Sequence, residues 1–172
     1  MNSEVIIKEF KDQIYYRIDQ STRMIRLSLN QIEDEQIWTR PNNSSNSIGN
    51  LMLHLCGNIT QYAIASLGNQ EDNRQRDEEF AALSGLSKTE LIDRLNKVVD
   101  EAKKVIEACD EHELMRKRQV QGFEFTGMGN VIHVTEHYSY HTGQIAFWVK
   151  QLVDKQSLGF YDNVDLNIKN KE

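Results

Sequence analysis

The stretch VIHVTEHYSYHTGQIAFWVKQL, residues 131–152, decides the fold. Val134, Tyr138, Ile145, Trp148 and Leu152 recur in steps of three, four and seven, which lines them up on one face of an α-helix, whereas a strand would need strict alternation. With a single proline and nine glycines in 172 residues, little punctuates such runs. The spacing predicts a helix from about Gly129 to Asp154.

The same periodicity recurs along the chain. Ile6, Phe10, Ile14, Ile18, Ile25, Leu29 and Ile32 mark a first helix over Ser3 to Glu33, with Ser3 as its N-cap. After the turn formers of residues 41–47, Ser47 or Asn46 caps a second helix from Ile48 to about Leu67, striped by Leu51, Leu55 and Tyr62. Residues 68–84 are mostly polar and long enough to cross the end of a bundle. Ser87-Lys88-Thr89-Glu90 is a capping box that opens a third helix ending near Asp110. Val120, Phe123 and Phe125 suggest a short extended piece before the last helix. The expected architecture is an all-α four-helix bundle with a long crossover between helices 2 and 3, built from residues 1–158, with a polar tail over 159–172.

Composition excludes several function classes. A formal net charge of -6 with scattered Lys and Arg leaves no basic stripe for phosphates, so no nucleic-acid partner is expected. No run approaches a membrane span of ~20 apolar residues, and the N-terminus lacks a basic region followed by an apolar one. The expectation is a cytoplasmic protein with Cys56 and Cys109 reduced. A homodimer is also expected, on the view that aromatic residues such as Trp38 and Phe160 are exposed and have surface to bury.

His133, His137 and His141 lie four apart, so neighbouring pairs share a helix face one turn apart. All three cannot hold one ion, because eight residues at 1.5 Å rise separate the outer two by about 12 Å. At about 100° per residue, His141 falls near the centre of the buried stripe, His137 toward its edge and His133 outside it. In the second helix His54 sits about 60° from the centre of its stripe and Asn58 about 20° from it. A divalent metal on His54, His137 and His141 is therefore expected, with His133 outside the ligand set and His112 on the surface. Imidazoles suit zinc, nickel, copper and iron, and zinc or nickel head the expectation. The plainer reading, hydrogen-bonded core histidines in an interaction bundle without metal, stays open on these residues. A third reading, the H-x-x-E-H metalloprotease pattern at His133 to His137 with Glu136 as base, needs a further ligand well downstream, and only 35 residues follow His137.

The stretches Ser47-Ile48-Gly49-Asn50-Leu51-Met52-Leu53-His54-Leu55-Cys56-Gly57-Asn58 and Glu136-His137-Tyr138-Ser139-Tyr140-His141-Thr142-Gly143-Gln144-Ile145 resemble the DinB/YfiT-like superfamily, in a small bacterial branch of unknown function. The resemblance covers essentially the whole chain. It implies a four-helix bundle with a long crossover, metal ligands at His54, His137 and His141, and a homodimer. It further implies a metal-dependent transferase that uses a low-molecular-weight thiol as co-substrate. More generally, three neutral ligands leave an ion able to acidify a bound water or thiol, which suits transferase or hydrolase chemistry. Asn58 and Gln144 are candidate orienters of the ligands, and Tyr138 or Tyr140 a candidate substrate contact. Cys56 and Cys109 lack a neighbouring base and are not cast as nucleophiles. The alternative is a non-catalytic metal-binding or stress-associated bundle protein.

Overall fold

The computed structural model describes residues 2–169. Helix α1, Ser3–Leu29, starts on Asn2, whose side chain accepts the Glu4 amide, so the N-cap lies one residue before the one expected. It also ends earlier than the periodicity suggested. Asn30 closes it, and a 3-10 turn at Asp34–Gln36 follows; Ile32 is still buried, but by a turn in place of a helix.

Helix α2, Ile48–Ile59, is opened by a capping box in which Ser47 and Asn50 bond each other's backbone amides. It continues without a break through a π-helical segment, Thr60–Ala65, and a last α-turn, Ser66–Gly68, stopped by Asn69 in the left-handed conformation. The crossover contains a short helix α3, Arg76–Ala81, which the polar composition had concealed. Helix α4, Lys88–Ala108, carries the expected capping box of Ser87 and Glu90, and one further turn, α5, Glu111–Met115, leads to a hairpin.

The hairpin pairs β1, Lys117–Val120, with β2, Phe123–Thr126, in the register Lys117 to Thr126 and Val120 to Phe123. Gln121 and Gly122 both take positive φ, the conformation that a two-residue loop between twisted strands demands. Thr126 then caps the last helix, α6, Gly127–Val153.

The four long helices close a ring of contacts in which α1 packs on α6 and α4, and α2 on α4 and α6. Ile25, Leu29, Met52, Leu55, Tyr62, Leu91, Ile106, Val131, Tyr138 and Val149 fill the centre with essentially no exposure. Two aromatic residues expected on the surface are packed. Trp38 donates its indole N–H to the Leu86 carbonyl at 3.0 Å, and its ring lies so close over Gly49 that a Cβ there would be 2.7 Å away. Phe160 packs against the core, and its carbonyl accepts from Arg23 at 3.0 Å. Cys56 and Cys109 are free and buried. Among the described residues no helix is long and apolar enough to cross a membrane.

Candidate metal centre

His54 lies two turns into α2, where Leu51, Met52 and Leu55 fix the helix against the core. His137 and His141 sit one turn apart on α6, anchored by the buried Tyr138 and Ile145. The fold brings these three imidazoles together: Nε2 of His137 is 2.9 Å from Nε2 of His54 and 3.1 Å from Nε2 of His141. His54 and His141 are 6% and 8% exposed, and His137 is half-buried. His133 stands apart, its ring 4.2 Å from that of Tyr62 and its Nε2 3.4 Å from Asn58 Nδ2. The H-x-x-E-H reading fails with it, since His133 is not among the convergent donors. The side chain of His112 is 79% exposed.

The outer ring nitrogens decide which atoms face inward. His141 Nδ1 donates to Gln144 Oε1 at 2.7 Å. His54 Nδ1 lies 3.0 Å from both Glu79 Oε2 and Arg74 Nη2. The carboxylate attracts the ring N–H, whereas the guanidinium already donates to Glu79 at 2.7 and 2.8 Å and to Gln61 at 2.9 Å, so Nδ1 carries the hydrogen. Nε2 of His54 and of His141 are then bare, and the single Nε2 of His137 between them can supply a hydrogen to only one. Lone pairs left converging in this way are what a cation satisfies. Nitrogens bound at about 2.0–2.1 Å in tetrahedral geometry stand roughly 3.3 Å apart, close to the two spacings on His137, and all three donors lie within 4.8 Å of one another.

The family described as "Protein of unknown function (DUF1572)" matches residues 6–160. The chain belongs to that family. No curated protein matches it. In fold this DUF1572 protein is similar to a conserved protein from Enterococcus faecalis, at 17% identity and TM-score 0.72, over 84% of this chain and 97% of that one. It is likewise similar to a DinB-like protein, YjoA, from Bacillus subtilis, at 16% identity and TM-score 0.64, over 84% and 94% of the two chains. A DinB-like protein from Bacillus cereus aligns at 14% identity and TM-score 0.67, over 86% and 92%. The DUF1572 chain thus has the DinB-like helical bundle fold.

Burial favours the uncharged form of both histidines of α6 in the cluster, the form that ligation needs. Burial, then the neighbouring His141 and His54, push His137 down to about 3, and burial also lowers His141 and His133. Burial pushes the Glu79 carboxyl up, but the hydrogen bonds and charge of Arg74 and His54 outweigh it and hold Glu79 below the ordinary carboxylate range. Burial drives the Cys56 thiol up to about 12 and raises Cys109, so neither supplies a thiolate.

Of the residues that the sequence of this DUF1572 chain offered as helpers, Gln144 holds a cluster histidine and Asn58 does not. Asn58 meets His133, and its buried Oδ1 has no hydrogen-bond partner. Tyr138 is fully buried and bonded to Thr22 at 2.8 Å, away from any substrate. Tyr140 is 61% exposed, with its ring 5.0 Å from that of His141. Glu136 lines a groove between α1 and α6 with Arg17 and Ser139. Arg74, Glu79 and Phe80 were missed, because charges in a polar crossover read as solvated. The one available signal was Gly57, a glycine in mid-helix three residues after His54, which marks a close approach.

Proposed function

We propose that this protein binds one divalent ion on His54, His137 and His141 and uses it as a Lewis acid in a transferase reaction with a low-molecular-weight thiol, or in a hydrolysis. The convergence of three Nε2 atoms, two of them left without hydrogens by the partners of their Nδ1 atoms, carries the reading. When bound, the ion supplies the means to acidify a water or thiol toward neutrality. Among the described residues no fourth His, Cys, Asp or Glu joins the group, which favours an open coordination position over a closed structural site. His137 is the most exposed of the three, so substrate approaches from its side, past Tyr140. Zinc or nickel suits the all-nitrogen donor set.

The test is the metal content of protein purified without a histidine tag, followed by a conjugation screen with low-molecular-weight thiols. One ion per chain and thiol consumption support the reading; protein that stays metal-free in excess zinc and nickel overturns it. The proposal extends to a homodimer that covers Ile132 and Phe147, which are 50% and 64% exposed on the outer side of α6. A sedimentation mass at the monomer's 20.0 kDa across micromolar concentrations removes that part.

A further inference from the structure

The crossover is docked on α2 far more firmly than a connection requires. Arg74 and Glu79 form a two-pronged ion pair with side chains only 3% and 10% exposed. Gln61 accepts from Arg74 at 2.9 Å and is itself bonded to Asp72 at 2.6 Å. The pair fits a notch in α2 that exists because residue 57 is glycine: a Cβ there would overlap the Glu79 carboxylate and lie 2.8 Å from Arg74 Nε. Asn50, fully buried, donates to the carbonyls of Glu79 and Ala82 at 2.9 and 2.7 Å, and Arg40 donates to that of Phe80 at 2.9 Å. The Phe80 ring lies 4.7 Å from the ring of His54.

A buried ion pair is a poor stabilising device, because desolvating two charges offsets most of their attraction. This one ends on Nδ1 of His54, and that placement needs another reason. We infer that the docked crossover is a working part of the metal centre: Glu79, steered by Arg74 into the notch at Gly57, is a positioning residue for His54, so metal binding and docking of residues 72–82 are coupled. The inference rests on the three-histidine reading above. By taking the Nδ1 hydrogen, Glu79 presents Nε2 as the donor and fixes the ring orientation. The coupling is reciprocal: whatever factor docking adds to metal affinity, bound metal returns to docking.

The experiment uses the full chain with Zn2+ as probe, measuring affinity by chelator competition and hydrogen exchange of residues 72–82 with and without zinc. Wild type should show zinc-dependent slowing of exchange in that segment. Glu79→Ala should weaken zinc binding by about 10 to 100-fold and abolish the slowing. Glu79→Gln, which keeps an oxygen acceptor, should recover part of the affinity, and Gly57→Ala should behave like Glu79→Ala. Glu78→Gln, on the exposed side of the same helix, should match wild type. If the alanine variant fails to fold, Glu79→Gln and Gly57→Ala carry the test. Zinc bound as tightly in all of them as in wild type, with equal protection of residues 72–82, overturns the inference alone. Wild type that binds no zinc overturns both it and the metal reading.

Discussion

His54 and His137 have their Nε2 atoms 2.9 Å apart and live in different surroundings. His54 is wrapped by the crossover, with an ion pair on its outer nitrogen and Phe80 against its ring. His137 stands half-buried among other imidazoles, with its ring 5.4 Å from that of His133. One side of the cluster is held by protein and the other is accessible. A site divided this way can keep donor geometry fixed while something small comes and goes, which a site braced on all sides cannot do.

The hardest blow to this picture is removal of a cluster histidine. Alanine at His54, His137 or His141 should each abolish most metal affinity, whereas His133→Ala should cost at most about 10 to 100-fold. Metal content after gel filtration reads the difference, and an empty site in His133→Ala beside a full one in His141→Ala would shift the ligand pair by one turn.

Acid should act next. With His137 held near 3 in the fold and at about 6.5 in the unfolded chain, the unfolded state takes up the proton first as pH falls. Metal-free protein should therefore be at full stability above about pH 6.5 and lose stability progressively toward pH 3, as denaturant melts at stepped pH would show. A flat profile would mean that the cluster is open to water on both sides.

Gln144→Ala sharpens the contrast further. It strips His141 of its Nδ1 acceptor on the less covered side, so zinc affinity should fall by about 10-fold, at the low end for an outer partner and less than for Glu79→Ala. The smallest effect compares two capping boxes. Ser47→Ala and Ser87→Ala should each cost about 1 kcal/mol in denaturant unfolding. Ser47→Ala should cost the more, because Ser47 is 1% exposed and bonds the same Asn50 that fastens the crossover.

The helices and the phase of the histidines were legible because both follow from position relative to an apolar stripe. His141 near the stripe centre and His133 off it could be computed from spacing, and the fold places them so. Arg74 and Glu79 were not legible. Their burial depends on a notch in a helix distant in sequence, and local composition carries no trace of a partner that far away. Trp38 failed for the same reason: a tryptophan beside charged residues gives no sign that Gly49 leaves a flat place for its ring. The early end of α1 shows a third limit, since Ile32 keeps helical spacing and burial while the backbone has already turned.

The π-helical segment at Thr60–Ala65 works as a phase adjuster in the middle of a continuous rod. Ahead of it, α2 presents His54 and Gly57 to the crossover; within it, Gln61 still serves Arg74 while the adjoining Tyr62 reaches across to Gln121 in the hairpin loop at 3.1 Å. Uniform 3.6-residue winding gives each rod a single angular schedule, and the widened turn lets this one keep two. Homologues that lack the extra residue should show a one-residue gap here, with the histidine end and the hairpin end each aligned cleanly on its own.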